Sequence, residues 1–139
     1  MYRMLLESHR GLAYLVFLVS LVDVVLVLTK ARTDARSASM LRWVHTLGLI
    51  WGGRITVLLG LLLFGASIAN SIPPYHLGTW WIWVSVLLWA PVEILGKRLV
   101  TPEIQAVTEG GAASSRLIAG AFGQLALIVV IFGLMSARP

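Results

Sequence analysis

Four long apolar runs constrain the fold of this chain more than any other feature of its sequence. An α-helix needs about 20 mostly apolar residues to cross a bilayer, and we place four such helices at about residues 11–28, 44–68, 79–96 and 117–135. The segments between them are short and hold turn-forming residues such as Pro73, Pro74 and Pro102. The pattern predicts an all-α, integral membrane four-helix bundle, with residues 1–139 as one domain. Because the first run is longer than a signal-peptide core, we expect it to be a retained helix.

The composition supports this class and argues against others. Hydrophobic residues make up 58% of the chain and charged residues only 12%, whereas soluble domains are about a quarter charged. The net charge of +5 comes from basic residues at the ends of the apolar runs, where they meet anionic lipid. We therefore expect the lipid bilayer, and no nucleic acid, as a partner. The absence of cysteine excludes thiolate-bound clusters and covalently attached haem but allows haem b.

The distribution of Lys and Arg predicts the orientation of the helices. The first and third loops hold seven basic residues, and the two termini hold three: Lys30, Arg32, Arg36, Arg42, Lys97, Arg98 and Arg116 against Arg3, Arg10 and Arg138. Since cytoplasmic loops are enriched in basic residues, we predict a multi-pass protein with these two loops in the cytoplasm and both termini outside.

Three ionisable residues fall inside the apolar runs, and each needs a partner there. Asp23, Arg54 and Glu93 lie on three different predicted helices and are predicted to form an intramembrane charge cluster. We expect Asp23 and Arg54 to pair directly or through one water, because a buried charge without a partner is costly. The cluster is either an ion-paired brace between helices or a functional group, such as a proton or substrate relay or an arginine beside a haem propionate.

The chain has three histidines at the predicted helix ends. His9 precedes the first helix and His76 the third, so both fall at the outer face, whereas His45 falls at the cytoplasmic face. Two histidines at one depth on different helices are what a bis-histidine haem b requires. Histidines at membrane interfaces also occur without any ligand, so the residues alone leave both interpretations open.

The sequence resembles small four-helix cytochrome b-like membrane proteins of bacteria, including the CopD-like and HemJ-type families. The resemblance rests on the opening "MYRMLLESHRGLAYLVFLVSLVDVVLVL", on "RITVLLGLLLF" in the second helix, on "HLGTWW" before the third, and on the ending "ARP". It implies a bacterial inner membrane location and a haem b held between helices, for electron transfer or porphyrin oxidation.

Under this resemblance, His9 and His76 match the positions of haem ligands. Arg54 falls where some relatives carry a histidine in the second helix, and Lys97 lies too far along the third helix to match the lysine of HemJ-type proteins. We predict His9 and His76 as the axial ligands, with His45 as the alternative. The rival assignment uses the small residues Gly48 and Gly52 to make room for the porphyrin ring.

Three functions follow as hypotheses. The first is a haem b-binding electron-transfer protein or subunit. The second is a cofactor-free structural subunit of a larger respiratory or photosynthetic membrane complex, and the third is a small transporter or proton-relay protein. No nucleophile elbow, phosphate loop or metal-ligand motif occurs, so we predict no catalytic residues, no metal beyond a haem iron, and no independent catalytic activity. The small extramembrane mass favours other membrane protein subunits as partners.

Overall fold

The computed structural model describes residues 1–29 and 31–137, and these residues form helices and connecting loops without any strand. The four helices are α1 (Tyr2–Leu28), α2 (Ala35–Ala69), α3 (residues 80–108) and α4 (Ser115–Ala137). The predicted all-α class with four helices is confirmed. Lys30 and Arg138, which enter the count of basic residues, lie outside the described residues.

Two helices begin earlier than predicted. Asp34 caps α2, because its carboxylate accepts hydrogen bonds from the Arg36 and Ser37 backbone N–H groups at 3.3 and 3.4 Å. The helix therefore begins at Ala35 and not near residue 44. Helix α1 begins at Tyr2, whose hydroxyl lies 3.0 Å from Ser67 Oγ near the end of α2. His9 consequently lies inside α1, and its predicted place before the helix was wrong.

Helices α2 and α3 each contain a π-helical segment. In α2 it is Val44–Trp51, between the α-helical parts Ala35–Trp43 and Gly52–Ala69. In α3 it is Gly96–Val100, between Trp80–Leu95 and Thr101–Thr108. Short π-helical segments inside α-helices often occur at functional positions.

Three helices, α1, α2 and α4, are long and apolar enough to cross a membrane by length and composition. Their outward surfaces carry large apolar side chains, such as Leu18 and Leu58 with 56% and 58% of their surface exposed. The third predicted span corresponds to Trp80–Leu95, which has 16 residues before the π-helical segment and is not among these three.

The two ends of the bundle are packed differently. At the end that holds residues 31–34 and 109–114, called here the arginine-rich end, aliphatic side chains from all four helices form one buried cluster: Val24, Val27, Ala31, Ala38, Leu41, Val100, Ile104, Val107, Leu117 and Ala121. The two loops are joined there, since Ala113 N–H donates to the Arg32 carbonyl at 3.0 Å. The opposite end, called the N-terminal end, has a smaller aromatic cluster of Phe64, Trp81 and Ile82.

Substitutions at two glycines of α2 should change the free energy of unfolding in opposite directions, and this tests the packing. A Cβ at Gly53 would overlap the indole ring of Trp89, and that ring is fixed because its N–H donates to Glu93 at 3.0 Å. Gly53→Ala should therefore lower the free energy of unfolding by about 1–3 kcal/mol. Gly65 has open space around its Cα, so Gly65→Ala should raise the same quantity by about 1 kcal/mol through helix propensity. Chemical unfolding in detergent micelles measures both, and equal effects of the two substitutions would contradict the packing described here.

Candidate functional site

A cavity of about 450 Å³ lies between the four helices at the N-terminal end. Its lining includes His9 from α1, Thr56 and Gly60 from α2, Trp89 from α3 and Phe132 from α4. Most of the other side chains around it are aliphatic or aromatic. A cavity of this size, mostly apolar with a few polar groups, is typical of sites for small organic molecules.

His9 reaches this cavity from within α1, as do Tyr2, Arg10 and Tyr14 of the same helix. Its Nδ1 lies 2.9 Å from the carbonyl oxygen of Thr56, and a carbonyl only accepts, so Nδ1 carries the proton. The lone pair of neutral His9 is therefore on Nε2. The ring lies against Gly60, where a Cβ would be only 2.9 Å from His9 Cε1. A backbone carbonyl bound to one ring nitrogen is the arrangement that orients metal-binding histidines.

Several hydroxyl groups around the cavity already donate their protons within the protein. Ser67 Oγ donates to the Leu63 carbonyl at 2.8 Å, so the Tyr2 hydroxyl is the donor to Ser67. Thr56 Oγ1 donates to the Gly52 carbonyl at 2.7 Å. These oxygens and His9 Nε2 are left as acceptors for a ligand with a hydrogen-bond donor or a metal centre. Arg10 and the hydroxyls of Tyr14, Tyr75 and Ser136 also line the cavity as possible donors.

His76 does not line this cavity. It lies exposed in the loop before α3, where its Nδ1 accepts a hydrogen bond from the Gly78 N–H at 3.1 Å. Its own N–H donates to Thr79 Oγ1 at 3.0 Å. These bonds shape the turn that leads into α3, and the structure does not bring His76 and His9 together at the cavity.

His45 lies in a different place, deep in the arginine-rich half of the bundle. Only 2% of its surface is exposed, and its Nε2 lies 3.1 Å from Gln124 Oε1. Gln124 donates its amide to the Val92 carbonyl at 2.9 Å, so its oxygen accepts and His45 Nε2 carries the proton. Gly96 leaves room for this pair, because a Cβ there would be 2.9 Å from Gln124 Nε2. We call His45, Gln124 and Asp23 the buried polar layer.

Sequence reasoning missed Gln124. The signal was present, since Gln124 is the only amide side chain in the apolar run of residues 117–135. Its role depends on a partner 79 residues away, which helical periodicity does not identify. The two π-helical segments Val44–Trp51 and Gly96–Val100 supply His45 and Gly96 to this layer.

The predicted charge cluster is divided in the structure. Arg54 forms a two-point ion pair with Glu93, with Nε 2.7 Å and Nη2 3.0 Å from its two oxygens. The Trp89 indole donates to the same carboxylate, and the Arg54 guanidinium lies 4.9 Å from the ring centre of Trp51. The Arg54 and Glu93 side chains are 45% and 32% exposed, so this pair lies on the outside of the bundle.

Asp23 is not part of that pair. Its surface is 2% exposed, and neither carboxylate oxygen has a hydrogen-bond partner among the described residues. The helix register explains why Arg54 is not that partner: a Cβ at Gly48 would touch Val19, and one at Gly52 would touch Val16. Asp23, further along α1, is therefore level with residues near 44, nearly three turns from Arg54 at about 3.6 residues per turn. The predicted direct Asp23–Arg54 pair is not formed.

Within the described part of the chain, no group of three or more His, Asp or Glu side chains is placed to hold a metal ion. The chain has no cysteine.

Searches of protein-family models, curated proteins and solved structures find no match to this chain.

The His45–Gln124 bond gives a prediction for stability. Gln124→Leu leaves the His45 N–H and the Val92 carbonyl without this buried partner, so the free energy of unfolding should fall by about 1–3 kcal/mol. The exposed Gln105, whose amide bonds only Glu109, is the control, and Gln105→Leu should change stability by less than about 0.5 kcal/mol. Chemical unfolding measures both, and equal effects would contradict the bond.

The Arg54–Glu93 pair gives a second prediction. Arg54→Gln and Glu93→Gln should each lower stability, and the double variant should lose less than the sum of the two, because the second change removes an already unpaired group. The matched control is Arg54→Gln with Asp23→Asn, for which we expect additive effects. Additive losses for Arg54 and Glu93 would contradict their pairing. Non-additive effects for Arg54 and Asp23 would indicate that Arg54 pairs with Asp23 instead.

Proposed function

We propose that this chain is an integral membrane protein that binds one apolar, ring-containing small molecule in the cavity at its N-terminal end. Three membrane-length apolar helices and their exposed apolar side chains support membrane insertion. The basic residues at and beside the arginine-rich end support its placement in the cytoplasm, with the cavity near the outer face of a bacterial inner membrane: Arg32, Arg36, Arg42, Lys97, Arg98 and Arg116.

The observation that carries the proposal is His9 in the wall of the cavity. Its Nδ1–H is held by the Thr56 carbonyl, so Nε2 is an oriented lone pair in an otherwise largely apolar space. Apolar walls bind the body of a ligand, and one oriented polar atom fixes its position. His9 is therefore the contact for the polar or metal centre of the bound molecule.

The first candidate ligand is haem b, which the resemblance to cytochrome b-like proteins implies. The residues present fit one axial ligand, His9 through Nε2, because its backbone hydrogen bond holds the ring as it does in metal-binding histidines. They do not supply the predicted second ligand at this cavity, since His76 is not in the wall. When bound, haem b supplies one-electron transfer at its iron. The indole of Trp89 and the ring of Phe132 would exclude water around it.

The second candidate ligand is an aromatic ring with a hydroxyl group, such as a quinol. The hydrogen-bonding of the cavity favours it, because the Thr56 and Ser67 hydroxyls already donate to backbone carbonyls. A ligand hydroxyl would donate to His9 Nε2. Under either candidate the protein holds a redox-active molecule in the membrane, without catalysis of its own, and exchanges electrons with neighbouring membrane subunits.

Binding to the purified protein tests the proposal. We expect haem b, titrated into the protein in detergent, to give a Soret band and to quench the fluorescence of Trp81 and Trp89, which both line the cavity. His9→Ala should lower the affinity at least about tenfold, on the order of 1.4 kcal/mol. His76→Ala and His45→Gln are the matched controls and should leave affinity unchanged.

The other outcomes are equally specific. Quenching by a short-chain quinol without any His9-dependent Soret band would select the second ligand. A loss of the Soret band in His76→Ala would restore His76 as an axial ligand and overturn ligation by His9 alone. If neither ligand binds in a His9-dependent way, the proposed function fails, and a cofactor-free structural subunit and a small transporter or proton-relay protein are the hypotheses that remain.

A further inference from the structure

Asp23 is the most anomalous polar group in the described part of the chain. Both of its carboxylate oxygens are buried without a hydrogen-bond partner among the described residues. The polar side chain one turn earlier, Ser20, donates its hydroxyl to the Phe17 carbonyl at 2.6 Å and is not available to Asp23. An ionised carboxylate left without compensation in an apolar interior costs several kcal/mol. Such a group calls for a specific explanation.

The helix register places Asp23 at the depth of His45 and Gln124. On α2, Gly52 lies beside Val16 and Gly48 beside Val19, so the antiparallel register continues to residues 44–45 opposite Asp23. On α4, Phe132 stacks with Phe17 at 5.6 Å between ring centres, so the residues opposite Asp23 are near 124–126. His45 and Gln124 are 2% and 1% exposed. Three buried polar side chains thus share one level.

His45 has a free acceptor at this level. Its Nε2–H is committed to Gln124, so the neutral ring bears its lone pair on Nδ1, to which no described residue donates. His45 also borders a second, small pocket of about 50 Å³. That space is large enough for a water molecule.

The small pocket connects His45 to the arginine-rich end. Its other lining residues are Arg42, Thr46, Thr101, Ile104 and Gln105, and all of these except Ile104 are exposed. The pocket therefore places a small space, bordered by exposed residues, against the buried imidazole of His45; Asp23 is not part of its lining.

We propose that Asp23 and His45 form a buried proton-binding site that exchanges protons with water at the arginine-rich end. A proton enters from water in the small pocket, binds Nδ1 of His45, which borders that pocket, passes to the carboxylate of Asp23 at the same level, and leaves by the same route. Gln124 holds the His45 ring in the tautomer that keeps Nδ1 free. When Asp23 carries a proton it is neutral. Its burial beside Val24 and Val27 then no longer places an uncompensated charge in an apolar interior.

The charged groups around the site support this assignment. Helix α2 contributes the exposed Arg42 at the pocket mouth, and α4 contributes the uncharged Gln124. On α3, Glu93 is committed to Arg54 and Trp89, and Lys97 and Arg98, directly after Gly96, are exposed. In the loop after α1, Arg32 Nε is buried and, like Asp23, has no partner among the described residues. No described cation pairs with Asp23.

The proton site is independent of the ligand cavity. An apolar cluster of Val16, Leu49, Val92 and Ile128 lies at the middle of the bundle, between His45 at one end and His9 at the other. Failure of the proposed ligand binding would therefore leave the proton site untouched, and the converse also holds.

The test uses the full chain and needs no substitution for its main result. The sequence contains only two aspartates, Asp23 and Asp34, so protein labelled with ¹³C at the aspartate carboxyl carbon gives two infrared or NMR signals. Asp34 is exposed and caps α2, which makes it the internal control. We expect one ionised carboxylate signal and one protonated carboxylic acid signal at neutral pH, and the acid signal should exchange with D₂O.

Variants then assign the signal and test the shared site. Asp23→Asn, which is close in shape, should remove the acid signal, whereas Glu93→Gln should leave it in place. His45→Gln should shift the pH at which the acid signal disappears, because it removes the second proton acceptor that the proposal places in this site. Two ionised aspartate signals at neutral pH would overturn the proposal, and so would an acid signal that does not respond to His45→Gln or does not exchange with D₂O.

Discussion

The antiparallel register of α1 against α2 determines which polar side chains meet in this protein. Glycines on α2 allow the close approach, with Gly48 beside Val19 and Gly60 beside His9, as small residues do between membrane helices. The Tyr2–Ser67 bond holds the same register at the N-terminal end. A shift of one turn would separate His9 from the Thr56 carbonyl and move Asp23 away from the level of His45. The cavity and the buried polar layer therefore depend on one helix contact.

The difference between the two ends of the bundle follows from the kinds of side chain that fill them. At the arginine-rich end, small and aliphatic residues interdigitate and leave little space. At the N-terminal end, rigid rings form the walls, with Phe64 against Trp83 at 5.6 Å and Tyr14 against Phe132 at 5.3 Å between ring centres. Flat rings held by such contacts do not close a gap by changing rotamer. The atoms that face the remaining space lack contact partners, and a bound molecule would supply them.

Much of the helical framework could be predicted from the sequence, because apolar runs of bilayer length are a strong signal. The helix ends were predicted less well. Asp34 followed by Arg36 and Ser37 is a recognisable helix start, yet the prediction placed the beginning of α2 at its first apolar residues. The same error put His9 before α1, although residues 2–10 contain no helix-breaking proline or glycine.

The polar contacts were harder to predict than the helices. Asp23 and Glu93 were both candidate partners for Arg54. Arg54 pairs with Glu93 because of the register of α1 against α2, which the amino-acid composition does not reveal. Helical spacing groups residues within one helix, whereas the Gln124 contacts with His45 and Val92 join residues 79 and 32 positions apart. Gln124 was overlooked because an amide carries no charge. Its importance is visible only in the structure, where its oxygen and its amide nitrogen both form hydrogen bonds.

The distribution of polar groups explains why Asp23 stands apart from the rest. Gln124 satisfies both of its ends, with its oxygen on His45 and its amide on Val92, so its burial is compensated. Arg54 and Glu93 compensate each other and stay on the outside of the bundle. Asp23 alone among these buried or paired groups has no compensation from the described residues. A metal cation such as Ca²⁺ needs six or more oxygen ligands, more than this layer offers, and a proton needs only the carboxylate itself. The smallest neutralising species is thus the one that the surroundings of Asp23 can accommodate.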